Sequence, residues 1–136
     1  MPKPPLPPEL DEFLAQPNPS VIGTLDRDDA PHTAATWYLW ENGRALVNMD
    51  ATRKRLDHLR RDPRVSLTVM GRDDWYRQVT LRGRIVDIAD DEDLRGIDRL
   101  SQHYLGNAYG RREQPRVNGW IEVESWYGWY GGSPWG

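Results

Sequence analysis

The run Thr52-Arg53-Lys54 is where the residue types of this sequence could do chemistry. It follows a strand-like stretch ending near Met49 and opens a short helix whose apolar residues, Leu56 and Leu59, share one face. Thr52 is expected to cap that helix, because a hydroxyl accepts from the free N–H groups of a first turn. Arg53 and Lys54 then stand where helices ordinarily carry acids. The local preference is broken at a point that an anion such as phosphate would repair. The same cations, with Arg55, Arg60 and Arg61, also read as the solvated face of a surface helix, and residue type alone favours that reading. Lys54 narrows the gap: apart from Lys3 it is the only lysine in a chain whose other positive side chains are all arginine.

The elements that must hold this run in place read as mostly β. Residues 1–8 form a proline-rich arm and residues 9–136 a single domain. A helix is expected over 8–15, with Leu10, Phe13 and Leu14 on one face. Strands follow over 20–25, 32–40, 44–49, 64–70, 75–87 and 119–130. Asn42-Gly43 marks a hairpin turn, and Gly83 a bulge in the longest of the central strands. A second long helix is expected over 91–104, with Leu94, Ile97, Leu100 and Tyr104 as its apolar stripe. Thr33, Ala34, Ala35 and Thr36 are small enough for a flat ligand, or equally a helix, to lie close to the backbone. Together these predict a mainly β (α+β) fold: a six-stranded antiparallel split β-barrel with two to three short helices.

Composition removes several functions. The chain has 136 residues, net charge −3 and no cysteine, so disulfides and thiolate chemistry are excluded and no broad basic face for nucleic acid is expected. It shows no apolar run for a signal peptide or a membrane span, so a cytoplasmic protein with no membrane partner is expected. His32, His58 and His103 lack metal-ligand spacing, and no catalytic residue or metal site stands out. Phosphate-loop, dinucleotide and serine-nucleophile motifs are absent. Seven Trp and six Tyr against one Phe point to half-wet pockets and interfaces. A cation cradle and aromatic surface without a nucleophile suit a protein whose cofactor carries the reaction.

Asn48, Thr52, Arg53, Lys54, Leu56, Leu59, Asp62, Pro63, Arg64, Val65, Ser66 and Leu67, in that order, resemble the flavin-binding core of the pyridoxamine 5′-phosphate oxidase-like split β-barrels. Arg77, Gln78, Val79, Gly83 and Ile85 look like that family's next core strand. The resemblance implies that Arg53 and Lys54 hold a cofactor phosphate with Thr52 behind them. It implies Val47 and Asn48 along the ring or ribityl part, and Gln78 reaching the cofactor across a homodimer interface. That family's second strand also carries an arginine and, five residues on, a lysine; Ala34 and Leu39 stand there instead. This argues against oxidation of pyridoxamine phosphate. The small stretch holding Ala34 and Thr36, with the aromatic end near Trp126, looks more like the branch that uses the deazaflavin coenzyme F-420. Such proteins transfer hydride to unsaturated small molecules. FMN in the same fold, or a non-catalytic cofactor-binding protein, are the alternatives. Trp126 either walls the cofactor pocket or fills the dimer seam.

Overall fold

Apolar side chains on alternate positions commit most of this chain to strands that each bury one face. The computed structural model describes residues 1–130, 133 and 134; residues 131, 132, 135 and 136, assigned above to the same domain, lie outside the described residues. In chain order come α1 (Pro8–Leu14), β1 (Ser20–Leu25), β2 (Pro31–Thr36), β3 (Leu39–Glu41), β4 (Arg44–Asp50), α2 (Lys54–Arg61), β5 (Arg64–Met70) and β6 (Gln78–Asp90). A single 3-10 turn, Glu92–Leu94, then leads into α3 (Arg95–Leu105), β7 (Arg116–Tyr130) and β8 (Ser133–Pro134). The sheet path is β2-β1-β5-β6-β7-β4-β3, with the two-residue β8 pairing with β7, and every pairing is antiparallel. The path therefore holds seven strands where six were expected.

The extra strand arises because the expected strand 32–40 breaks at Trp37 and Tyr38. Tyr38 is fully buried; its hydroxyl donates to the Leu14 carbonyl (2.7 Å), and its backbone N–H donates to the Tyr104 hydroxyl (3.3 Å). A residue anchored to the end of α1 and to α3 leaves the sheet ladder. Its two flanks, β2 and β3, become the two outer strands of the sheet path. Consecutive residues at opposite ends of one sheet require that sheet to curl round on itself, which is the split-barrel topology.

Other departures are local. Trp75 and Tyr76 lie in the turn before β6 and are exposed, so that strand starts at Gln78 and runs on to Asp90. The last strand begins at Arg116, three residues early. Asn42 and Gly43 take the paired positive φ values (53° and 75°) of the expected hairpin turn. Gly83 marks a register shift between β6 and β7, where a Cβ would fall 1.8 Å from the Glu122 carbonyl oxygen. The proline-rich arm packs on the sheet: Trp126 N–H donates to the Pro2 carbonyl, and Leu6 joins the core with Leu10, Phe13 and Leu14 of α1. Among the described residues no helix is long and apolar enough to cross a membrane.

Candidate functional site

Strand β4 has a polar residue in the middle of its buried run. Asn48 follows Val47 and precedes Met49, and it is 4% exposed. Pairing of β4 with β7 sets Asn48 opposite Asn118, and Asp50 opposite Arg116. Burying an amide in a strand costs about 1–3 kcal/mol unless its groups are bonded, and here they are. Asn48 Nδ2 donates to Asp91 Oδ2 (2.9 Å) and Asn118 Oδ1 (2.7 Å), while Asn48 Oδ1 accepts from Arg116 Nε (2.6 Å).

Asp91, also buried, sits at the centre of this cluster. Its two carboxylate oxygens accept from the backbone N–H groups of Gly96 (2.7 Å) and Ile97 (2.9 Å), and from Asn118 Nδ2 (3.3 Å). The expected helix 91–104 thus begins late. Asp93 and Leu94 turn through positive φ (57° and 58°), which lets Asp91 fold back and bond the first-turn donors of α3. Leu94 accordingly falls outside the apolar stripe of α3, which is Ile97, Leu100 and the part-buried Tyr104. Gly96 is required there, since a Cβ would lie 2.1 Å from Asn118 Oδ1.

A cavity of about 730 Å³ opens beside this cluster. Asn48, Arg55 and Arg116 line one part of it, Trp37, Tyr104 and Tyr109 form an aromatic wall, and Ala35, Thr36, Ser20 and Arg72 complete much of the remainder. Trp37 stacks on Tyr104 with ring centroids 5.3 Å apart, and the Arg116 guanidinium lies over Tyr109 at 5.0 Å. Tyr104 is fixed by donating to the Asn18 carbonyl (2.6 Å), and burial pushes its hydroxyl up to about 12, so it stays protonated near neutrality. The lining contains three arginines and no Asp, Glu, His or Cys. Burial, followed by the neighbouring charges of Arg53 and Arg116, lowers the Arg55 pKa. Neither Arg55 nor Arg116 makes an ion pair among the described residues.

The residues singled out from sequence divide between this cavity and its surroundings. Asn48 and Thr36 line it. Ala34 packs against the core, and its neighbour Ala35 faces the cavity instead. Val47 and Trp126 are side chains of the hydrophobic core and do not line it. Gln78 opens β6, where its amide donates to the Trp75 carbonyl (3.4 Å). Thr52 is not the cap of α2. Arg53 occupies that position without a side-chain bond, because the Thr52 amide and hydroxyl are both held by Asp50 Oδ1 at 2.8 and 2.7 Å. The Asp50–Thr52 turn leaves Arg53 and Lys54 exposed at the start of the helix. Arg116, Trp37 and Tyr109 were missed. Arg116 is brought in by the β4–β7 register, and Trp37 and Tyr109 by their contacts with Tyr104 and Arg116, none of which a local pattern reveals.

The family model described as pyridoxamine 5′-phosphate oxidase matches residues 6–130. The chain belongs to the pyridoxamine 5′-phosphate oxidase family. Among solved members of this fold, an F-420 reductase superposes with a TM-score of 0.82 at 21% identity, covering 89% of this chain and 98% of its own. A conserved hypothetical protein from Mycobacterium tuberculosis gives 0.73 at 22% identity, over 93% and 86% of the two chains. HupZ of Group A Streptococcus gives 0.70 at 15% identity, over 97% and 100%. At these identities the likeness to each is one of fold. No curated protein matches the sequence.

Proposed function

We propose that this family member is a cytoplasmic homodimer that binds the deazaflavin coenzyme F-420 and uses it to transfer hydride to an unsaturated small molecule. The observation that carries the reading is the cavity itself: a stacked aromatic wall, three arginines, and no Asp, Glu, His, Cys or Lys side chain among the described lining residues. A site so furnished binds, orients and excludes water, and leaves redox chemistry to a bound carrier. The superposition on an F-420 reductase supports the choice of carrier.

The residues present fit such a group. Arg53 and Lys54, exposed at the head of α2, are free to take its phosphate, with the free N–H groups of that helix behind them. Trp37, Tyr104 and the small Ala35-Thr36 edge offer flat surfaces for a planar ring system. When bound, the coenzyme supplies a two-electron hydride donor. Asn48 is held in one orientation by its three bonds, so its groups are fixed before any ligand arrives. In the homodimer, Gln78 reaches the coenzyme from the second subunit, next to the exposed Trp75 and Tyr76.

Titration of the purified protein with F-420 and with FMN, read by quenching of its seven tryptophans, tests the proposal. Saturable quenching by F-420 at concentrations where FMN has no effect is expected. Tighter binding of FMN would replace the coenzyme with a true flavin. Tight binding of F-420 without hydride transfer to enones or quinones would make the protein a carrier of the coenzyme.

A further inference from the structure

Arg55 and Arg116 come from distant parts of the chain and meet on one residue. Arg116 Nε is fixed on the Asn48 side-chain oxygen (2.6 Å), and Arg55 Nη2 approaches the Asn48 backbone carbonyl (3.4 Å). The Nη atoms of Arg116 have no partner among the described residues. Two like charges converging in a part-buried wall repel, and nothing within the cavity lining offsets them. Asp50 is within electrostatic reach of Arg116 but makes no ion pair with it, its carboxylate being bonded to Thr52. Asp91 is held by helix and amide donors behind Asn48. A built cluster thus holds two guanidiniums that make no ion pair beside a cavity, and their aromatic neighbours are Tyr109 and, in edge contact with it, Trp37.

We infer that Arg55, Arg116 and Asn48 form a subsite for the carboxylate of a planar, conjugated acid, whose flat part lies against Tyr109 and Trp37. A guanidinium fork matches a carboxylate in geometry as well as charge, and a second one beside it removes the mutual repulsion once the anion is in place. The flat part gains contact with the rings. This subsite belongs to the substrate and is separate from the phosphate position at Arg53 and Lys54. It rests on the reading of the cavity as a ligand site, and not on which coenzyme is bound.

The test is calorimetric titration of the coenzyme-free protein with cinnamate and with cinnamamide, which differ only in the charged group. Cinnamate is expected to bind about tenfold more tightly, the scale of one charge-assisted bond. Arg116→Gln should erase that preference while leaving the affinity for cinnamamide unchanged, and Arg55→Gln provides the same readout if the first variant does not fold. Equal affinities in the unaltered protein, or a preference that survives both substitutions, would overturn the subsite. A third arm adds F-420. If it displaces cinnamate competitively and Arg116→Gln loses both, the guanidiniums serve the coenzyme and the substrate assignment falls. Cinnamate preference in a protein that binds no F-420 would uphold the subsite and remove the coenzyme reading instead.

Discussion

Arg53 and Lys54 stand exposed at the head of α2 and are held only by the helix they open. Arg55 and Arg116 are part buried, and Arg116 is tied through Asn48 to the buried carboxylate of Asp91. The first pair is local, formed by neighbours in sequence and by a turn that Asp50 and Thr52 close. The second depends on a strand pairing, a helix cap and an aromatic stack contributed by four separate stretches of chain. A local cation pair can be altered with little consequence for the fold. The assembled pair shares its supports with the core, so function and stability are joined there.

The largest test of that contrast is Asp91→Ala. It would leave two helix N–H groups and two side-chain amides without their acceptor in a buried position. Unsatisfied buried donors are costly, and a loss of about 3 kcal/mol in folding stability is expected, read from the midpoint of urea unfolding. A change below about 0.5 kcal/mol, the range of ordinary surface substitutions, would show that the cluster holds nothing together. Lys54→Ala should behave in the opposite way. Its folding stability should stay within about 0.5 kcal/mol of the parent, whereas affinity for F-420 should fall by about 1.5 kcal/mol, the value of one charged hydrogen bond. An unchanged dissociation constant would move the phosphate away from the helix head.

The smallest effect concerns the other end of α2. Hydrogen bonds from Arg64 hold the Asp62 carboxyl down to about 2, from an ordinary value of 3.8. A group whose pKa is lower in the folded state stabilises the protein fully above its unfolded value and loses that contribution on acidification. The part of acid unfolding due to Asp62 should therefore fall between about pH 4 and pH 2. Asp62→Asn should flatten stability in that window and leave it unaltered near neutrality in its pH slope. Arg64 is exposed and solvent screens the pair, so the change is expected to be small. An unchanged acid limb would show that solvent screens the pair entirely.

Much of the architecture was legible because period and punctuation are local signals. The strand over 64–70, the Asn42-Gly43 hairpin, the Gly83 bulge and the apolar face of α1 were each written in a few adjacent residues. The misreadings have one cause. Thr52 satisfies the local rule for a cap, yet Asp50 competes for it two residues earlier. Tyr38 alternates like a strand residue, yet it is drawn out by a carbonyl on α1 and a hydroxyl on α3, 66 residues away in the latter case. In both places a contact to a residue outside the motif outweighed the motif.

Residue order alone determined most of the strands and helices, the family to which the chain belongs and the cations that open α2, since each is carried by residue types and their spacing along the chain. Only the folded chain decided that Arg116 would join Arg55 on Asn48, that Asp91 would cap α3 from five residues upstream of Gly96, and that Trp37 would face Tyr104. Apart from Asp91 and the start of α3, those groups are far apart along the backbone. They meet because β4 pairs with β7 and the sheet curls to bring its two ends together, and no local preference encodes that closure.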